Sequence, residues 1–154
     1  MLTLMLLRHA KAKRPEGVED FDRKLSRRGR EAAGRLGTTL REANLVPDLV
    51  LCSAARRTRE TWELVAPGLG RVVPMRGARA LYLAGPAKIM EQVHRVADDM
   101  PRVMVVGHNP GIATLAARLG GTELEFPTCA LAVITFDQTR WRDAEHGRLA
   151  RYIE

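Results

Sequence analysis

Four short apolar runs, at residues 2–7, 49–52, 103–106 and 130–136, are separated by segments of helical length and pattern. This alternation constrains the fold more than any other feature. Short apolar runs bounded by turn signals read as strands. Strands alternating with helices argue for a helix-covered α/β sheet. Ser26 is placed to cap a helix over 27–43, whose Ala32, Ala33, Leu36 and Leu40 fall near helical spacing. Gly29, Gly34 and Gly37 weaken that helix but permit close packing against the sheet. Residues 55–66 read as a second helix, closed by Pro67 and Gly68, and 71–75 as a short strand. Pro86 opens a helix to about Asp98, with Ile89, Val93 and Val96 on one face. Pro110 starts another, which Gly120 and Gly121 end. Residues 147–153 predict an edge strand, and the polar segment 13–25 a loop.

No internal repeat, linker or low-complexity tract divides the chain, so a single domain over 1–154 is expected. At 154 residues it buries roughly 70% of the surface an unfolded chain exposes. With 45% apolar and 28% charged residues it is an ordinary globular sequence, not a disordered one. Cys52 and Cys129 are too few for a disulfide scaffold and read as small buried thiols, which points to a reducing cytoplasm. The run at 2–7 has no positive charge before it and no cleavage site after it, and it is too short for a signal-peptide core. No segment approaches the ~20 apolar residues of a membrane helix. A cytoplasmic protein without membrane partners is expected.

The net charge of +7 comes from 25 basic and 18 acidic residues, mostly arginine against carboxylates. Arginine grips oxyanions with a two-pronged fork. The excess is compatible with nucleic acid, an acidic partner, a phosphate site or composition alone. The chain lacks zinc, RNP or glycine-loop signatures, so nucleic acid is not an expected partner.

Ligands of open α/β sheets bind at the carboxyl ends of the strands. Three of the apolar runs end in polar residues: Arg8-His9, then CSAARRTRET at 52–61, then VVGHNPG at 105–111. On one sheet edge they would gather Arg8, His9, Ser53, one or two of Arg56, Arg57 and Arg59, His108 and Asn109. That set matches the charge of a dianionic phosphoryl group, gripped by arginine forks and helix amino termini. Each piece alone has an ordinary explanation: a strand-end histidine satisfied by a carbonyl, a solvated arginine face, an asparagine cap before Pro110. No metal-ligand cluster is evident. His94 and His146 are given no role, and Lys11 and Lys13 border the expected mouth.

These motifs resemble the histidine phosphatase superfamily, the acid phosphatases and cofactor-dependent phosphoglycerate mutases, and within it the short SixA-like phosphohistidine phosphatases. LLRHAKA stands where the family has strand-RHG or RHA, and SAARRTRET where it has S-x-x-x-R-A-x-Q-T. Ser53 and Thr61 match the ends of that element, which places its arginine on Arg57. Thr58 and Glu60 replace its alanine and glutamine, and GHNPG is unchanged. Residues 25–29 suit the family's approach to its first helix. The resemblance implies a mixed, mostly parallel central sheet with helices on both faces and a phosphatase without cofactor or metal. His9 would attack phosphorus, and Arg8, Arg57 and His108 would bind the phosphoryl group. Ser53 and Asn109, from the strand-end set, are expected as further substrate contacts. Inorganic phosphate would be the product. The implied substrate is a phosphohistidine-bearing protein. A small O-phosphate ester, or a silent phosphoprotein-binding module, are the alternatives.

Larger relatives use a carboxyl group to protonate a departing alkoxide. Here the corresponding stretch, ARALYLAGP at 78–86, has no Asp or Glu. An alkyl phosphate needs that proton, a contribution of typically about 10²–10⁴-fold in rate. Imidazole, with a conjugate acid of pKa about 6.5, does not. The loop carboxylates Glu16, Asp20 and Asp22 remain the ones able to reach in.

Overall fold

The computed structural model describes residues 1–154. Its six strands are β1 (Leu2–Arg8), β2 (Leu49–Ser53), β3 (Met75–Ala78), β4 (Arg102–Gly107), β5 (Leu131–Phe136) and β6 (Gly147–Ile153). They form one sheet in the order β3-β2-β4-β1-β5-β6. The first four in that order run parallel, while β5 and β6 add an antiparallel flank. Parallel neighbours need crossovers, and helices supply them. These are α1 (Arg27–Glu42), α2 (Arg56–Val65) and α3 (Pro86–His94), with α4 (Gly111–Gly120) leading from β4 into β5.

Side chains alternate across the sheet, and each face meets two helices. Met5 and Leu7 face Ala33, Leu36, Leu40, Trp62 and Val65 of α1 and α2. Leu4 and Leu6 face Ile89, Val93, Ile112 and Leu115 of α3 and α4. The sheet is therefore buried on both sides, as the unbroken apolar runs imply. Ser26 caps α1, its Oγ accepting the Gly29 N–H at 3.1 Å. No helix is long and apolar enough to cross a membrane.

Several local expectations shift. The edge strand β3 begins at Met75, where pairing with Val50 starts, and not at residue 71. Ahead of it, Val72 is 94% exposed and Val73 packs inward. Helix α3 stops at His94, not near Asp98, and Val96 is held by a tight turn to the Val93 carbonyl at 3.1 Å. Gly29 and Gly37 do allow close approaches, to the Lys11 and Val65 carbonyls, so their contacts are with a loop and α2, not the sheet. Gly34 faces open space. Cys52 is buried in β2, but Cys129 lies before β5, half-buried, at φ 66°. Both are free thiols.

Candidate active site

Strand register brings the two histidines together. Arg8 pairs with Gly107 across β1 and β4, so His9 and His108 leave adjacent strands side by side. Their ring centroids are 5.4 Å apart. The His9 N–H donates to the Gly107 carbonyl at 3.1 Å and fixes the turn. From the neighbouring strand, α2 delivers Arg57 in its first turn. Thr61, one turn on, accepts the Ala10 N–H at 3.0 Å and donates to the Arg57 carbonyl at 2.7 Å. Helix α2 is thereby locked to the turn that carries His9. These groups line a cavity of ≈ 490 Å³ with Asp20 and Asn109 on its walls.

The hydrogen bonds set the histidine tautomers. His9 Nδ1 lies 2.7 Å from the Ala10 carbonyl, which can only accept. Nδ1 therefore carries the proton, and Nε2 keeps its lone pair. Burial is the first cause that pushes His9 down to about pKa 4, and Arg57, Arg8 and Arg23 add to it against the Ala10 bond. His108 is pushed down to about 3 by burial, then by Arg57 and His9. Both rings are neutral near pH 7. Arg57 Nη2 donates to His108 Nδ1 at 3.2 Å, so the His108 proton sits on Nε2, 2.7 Å from Ser53 Oγ.

The two arginines are fixed by acceptors on other loops. Arg8 Nη1 donates to the Phe126 carbonyl at 2.9 Å. Arg57, 3% exposed, donates to the Asp20 carbonyl at 2.7 Å and to its carboxylate at 3.1 Å. The Nε groups of both arginines are buried without an acceptor. A buried donor without an acceptor costs about 1–3 kcal/mol.

Of the expected set, Arg8, His9, Arg57 and His108 line one cavity. Arg56 and Arg59 turn outward, to Glu60 and to the Ala54 carbonyl. Ser53 requires correction as a substrate contact. It is fully buried behind His108 and does not line the cavity, so its hydroxyl orients the imidazole instead. Asn109 stands at the wall, but its amide is committed: Nδ2 donates to the Phe126 carbonyl at 2.9 Å and Oδ1 accepts the Ala113 N–H at 3.2 Å. Glu60 accepts the Leu25 N–H at 2.9 Å, which ties α2 to the approach to α1. His94 bonds the Ala144 carbonyl at 3.0 Å, away from the site. Lys11 borders the mouth, whereas Lys13 does not line this cavity. No three His, Cys, Asp or Glu side chains gather to hold a metal.

A carboxylate does enter. Asp20 lines the cavity, and Glu16 and Asp22 do not. Its carboxylate accepts from the Tyr82 hydroxyl, from Arg23 at 2.8 Å and from Arg57. These partners, Tyr82 first, hold the carboxyl well below the usual carboxylate range, against a smaller opposing effect of burial. Arg23 and Tyr82 escaped the sequence reading. Arg23 is 8% exposed and also donates to the Lys13 carbonyl at 2.8 Å. The Tyr82 ring stands edge-on to His108 at 5.5 Å and to Phe21 at 5.0 Å. An arginine and an aromatic in non-periodic loops carry no pattern to find them by.

The sequence pattern of the histidine phosphatase superfamily (branch 1) matches residues 4–81. An uncharacterised protein of Mycobacterium tuberculosis is 38% identical over 92% of this chain and 93% of its own. A structure from Nakamurella multipartitia, provisionally assigned as the phosphohistidine phosphatase SixA, superposes with TM-score 0.87 at 30% identity, covering 99% of this chain and 95% of that one. The protein histidine phosphatase SixA in complex with tungstate gives TM-score 0.85 at 21% identity over 99% and 96%, a likeness of fold. Pattern, identity and the mixed sheet agree: the chain belongs to the histidine phosphatase superfamily, branch 1.

Proposed function

We propose that this chain is a phosphatase that forms a phosphohistidine on His9, and that its phosphoryl donor is a phosphohistidine side chain on another protein. The observation that carries the reading is the pairing of a neutral His9, its Nδ1 proton held by Ala10, with Arg8, Arg57 and His108 around one cavity. The free Nε2 lone pair attacks phosphorus. The donor's N–P bond breaks, and its electron pair stays on the departing nitrogen. A donor ring protonated on its far nitrogen leaves as neutral imidazole. Water then attacks the phosphoryl group on His9, gives up a proton, and releases inorganic phosphate.

Such transfer asks chiefly for alignment and for positive charge on the equatorial oxygens. Arg8 and Arg57 supply it. The incoming dianion raises the proton affinity of His108. Arg57 Nη2 then turns from Nδ1 to a phosphoryl oxygen, and a protonated Nδ1 donates to another, with Ser53 keeping the ring in place. Asp20 is the nearest carboxyl group and is held as the anion, so it has no proton to give an alkoxide. That favours a leaving group that needs none.

The test compares phosphorus–nitrogen and phosphorus–oxygen substrates side by side. A phosphohistidine peptide should turn over about 10²-fold faster or more than an alkyl phosphate, the scale of a missing acid. An aryl phosphate should be an acceptable artificial substrate. Rapid quenching should trap label on His9, and His9→Ala should lose activity by roughly 10⁴-fold or more. Faster alkyl phosphate hydrolysis would sink the substrate assignment. Phosphate bound but never transferred to His9 would make the chain a binding module.

A further inference from the structure

Beside the cavity lies a second cleft, lined by Lys13, Lys24, Arg27, Arg30 and Arg56, with Glu60 its sole carboxylate. Glu60 is already engaged by Arg56 at 2.9 Å and by the Leu25 N–H. Lys13, Lys24 and Arg30 are exposed and make no ion pair. Lys11 and Arg14, on the wall of the catalytic cavity, are likewise exposed and unpaired. Glu16, Glu19 and Asp22 belong to the same loop but line neither cleft.

The backbone beneath these cations is fixed. Residues 11–13 and 24–26 pair as a short antiparallel ladder, with Lys13 N–H to the Lys24 carbonyl at 2.9 Å and Ser26 N–H to the Lys11 carbonyl at 2.8 Å. Gly29 of α1 packs directly under Lys11. This ladder is the ridge shared by the two clefts. Like charges gathered along one cleft without carboxylate partners give a positive surface that favours an anionic face. Lys11 and Ala12 of this ridge form part of the cavity wall, so a macromolecule approaching the cavity from this side meets the ridge.

We infer that the basic ridge and cleft, with Lys13, Lys24 and Arg30 at their centre, dock an acidic face of the protein that presents the phosphoryl group. This rests on the phosphohistidine-protein reading above. Complementary charge of this kind chiefly speeds encounter and rejects wrong partners, and salt weakens it. Its work is separate from chemistry on the floor of the cavity.

The test uses the full chain and two fluorescent phosphohistidine peptides of equal length, one flanked by Asp and Glu, the other by Ser and Gln. Unphosphorylated versions report binding alone. The acidic peptide should bind about tenfold tighter at low salt. The preference should vanish in Lys13→Glu/Lys24→Glu/Arg30→Glu, shrink in the corresponding Gln variant, and fade as salt rises. Turnover of an aryl phosphate should stay unchanged in both variants, which also verifies their folding. Equal binding of the two peptides to the wild type, or a preference that survives the triple reversal, overturns the inference. So does a single-stranded oligonucleotide that binds the ridge tighter than the acidic peptide at the same ionic strength. Failure of the enzymatic reading looks different: the acidic peptide binds the ridge, yet neither phosphopeptide is hydrolysed.

Discussion

Two sets of cations lie in this cavity and along the ridge beside it, and they are built in opposite ways. On the floor, Arg57 is almost wholly buried and each end of its fork has a partner on another loop. On the rim, Lys13, Lys24 and Arg30 are exposed and answer to no carboxylate. Burying an arginine is expensive, and the site offsets the cost with the Asp20 carboxylate and backbone carbonyls. In the proposed reaction this gains position: the arginines are held at the cavity before substrate arrives, and only the Arg57–His108 contact has to be exchanged for a phosphoryl oxygen. Rim charges sit in water, where any one pair is worth little. In the docking inference their effect is collective and acts on encounter. The difference teaches that the basic excess of the sequence is divided between buried arginines held by partners and exposed lysines and arginines that have none.

The sharpest way to break this comparison is substitution on the floor. Arg57→Ala should lower aryl phosphate kcat by about 10²–10³-fold, as for loss of one transition-state donor. Arg59→Ala, two residues on and turned outward, should stay within about twofold. Equal effects would dissolve the distinction. A smaller effect is expected at Asp20, the carboxylate that balances the floor. Asp20→Asn removes a negative charge from the cavity, so inorganic phosphate should inhibit several-fold more strongly, on the order of threefold to tenfold. If Asp20 were instead the proton donor, the variant would lose about 10²–10⁴-fold on alkyl phosphates and little on phosphohistidine.

A further effect is expected on stability. His9 and His108 titrate near 4 and 3 in the folded chain, below the ordinary histidine value of about 6.5. Between those values the unfolded chain binds more protons, so stability is fully present above about pH 6.5 and falls as pH drops toward 4. The urea midpoint should therefore be lower at pH 5 than at pH 7. His9→Asn should show a shallower drop. A midpoint indifferent to pH in the wild type would mean that the floor histidines are already charged or solvated.

How far the sequence could be read depends on the kind of contact. The four apolar runs and the helices between them were legible because strands buried on both faces leave unbroken apolar runs and helices buried on one face leave a periodic trace. Among the three arginines at 56–59, only the spacing from Ser53 to Thr61 singled out Arg57, and the first turn of α2 does aim it into the cavity. The convergence of polar strand ends suggested that Ser53 touches substrate. Its fully buried place behind His108 assigns it a different part, and nothing in a one-letter code separates a serine facing a ligand from one facing a ring. Strand β3 was displaced because an exposed valine mimics a strand signal.

The sequence by itself determined the layered α/β architecture and the presence of His9, Arg8 and His108 at strand ends. Those features rest on local periodicity and on turns a few residues long. Only the tertiary structure decided that Asp20 enters the cavity, that Tyr82 and Arg23 hold it as an anion, and that Lys13 and Lys24 share one ridge. The physical reason is range. Tyr82 and Asp20 are 62 residues apart, and Arg57 and Asp20 are 37 apart. Contacts between aperiodic loops exist only once the sheet has fixed where those loops stand.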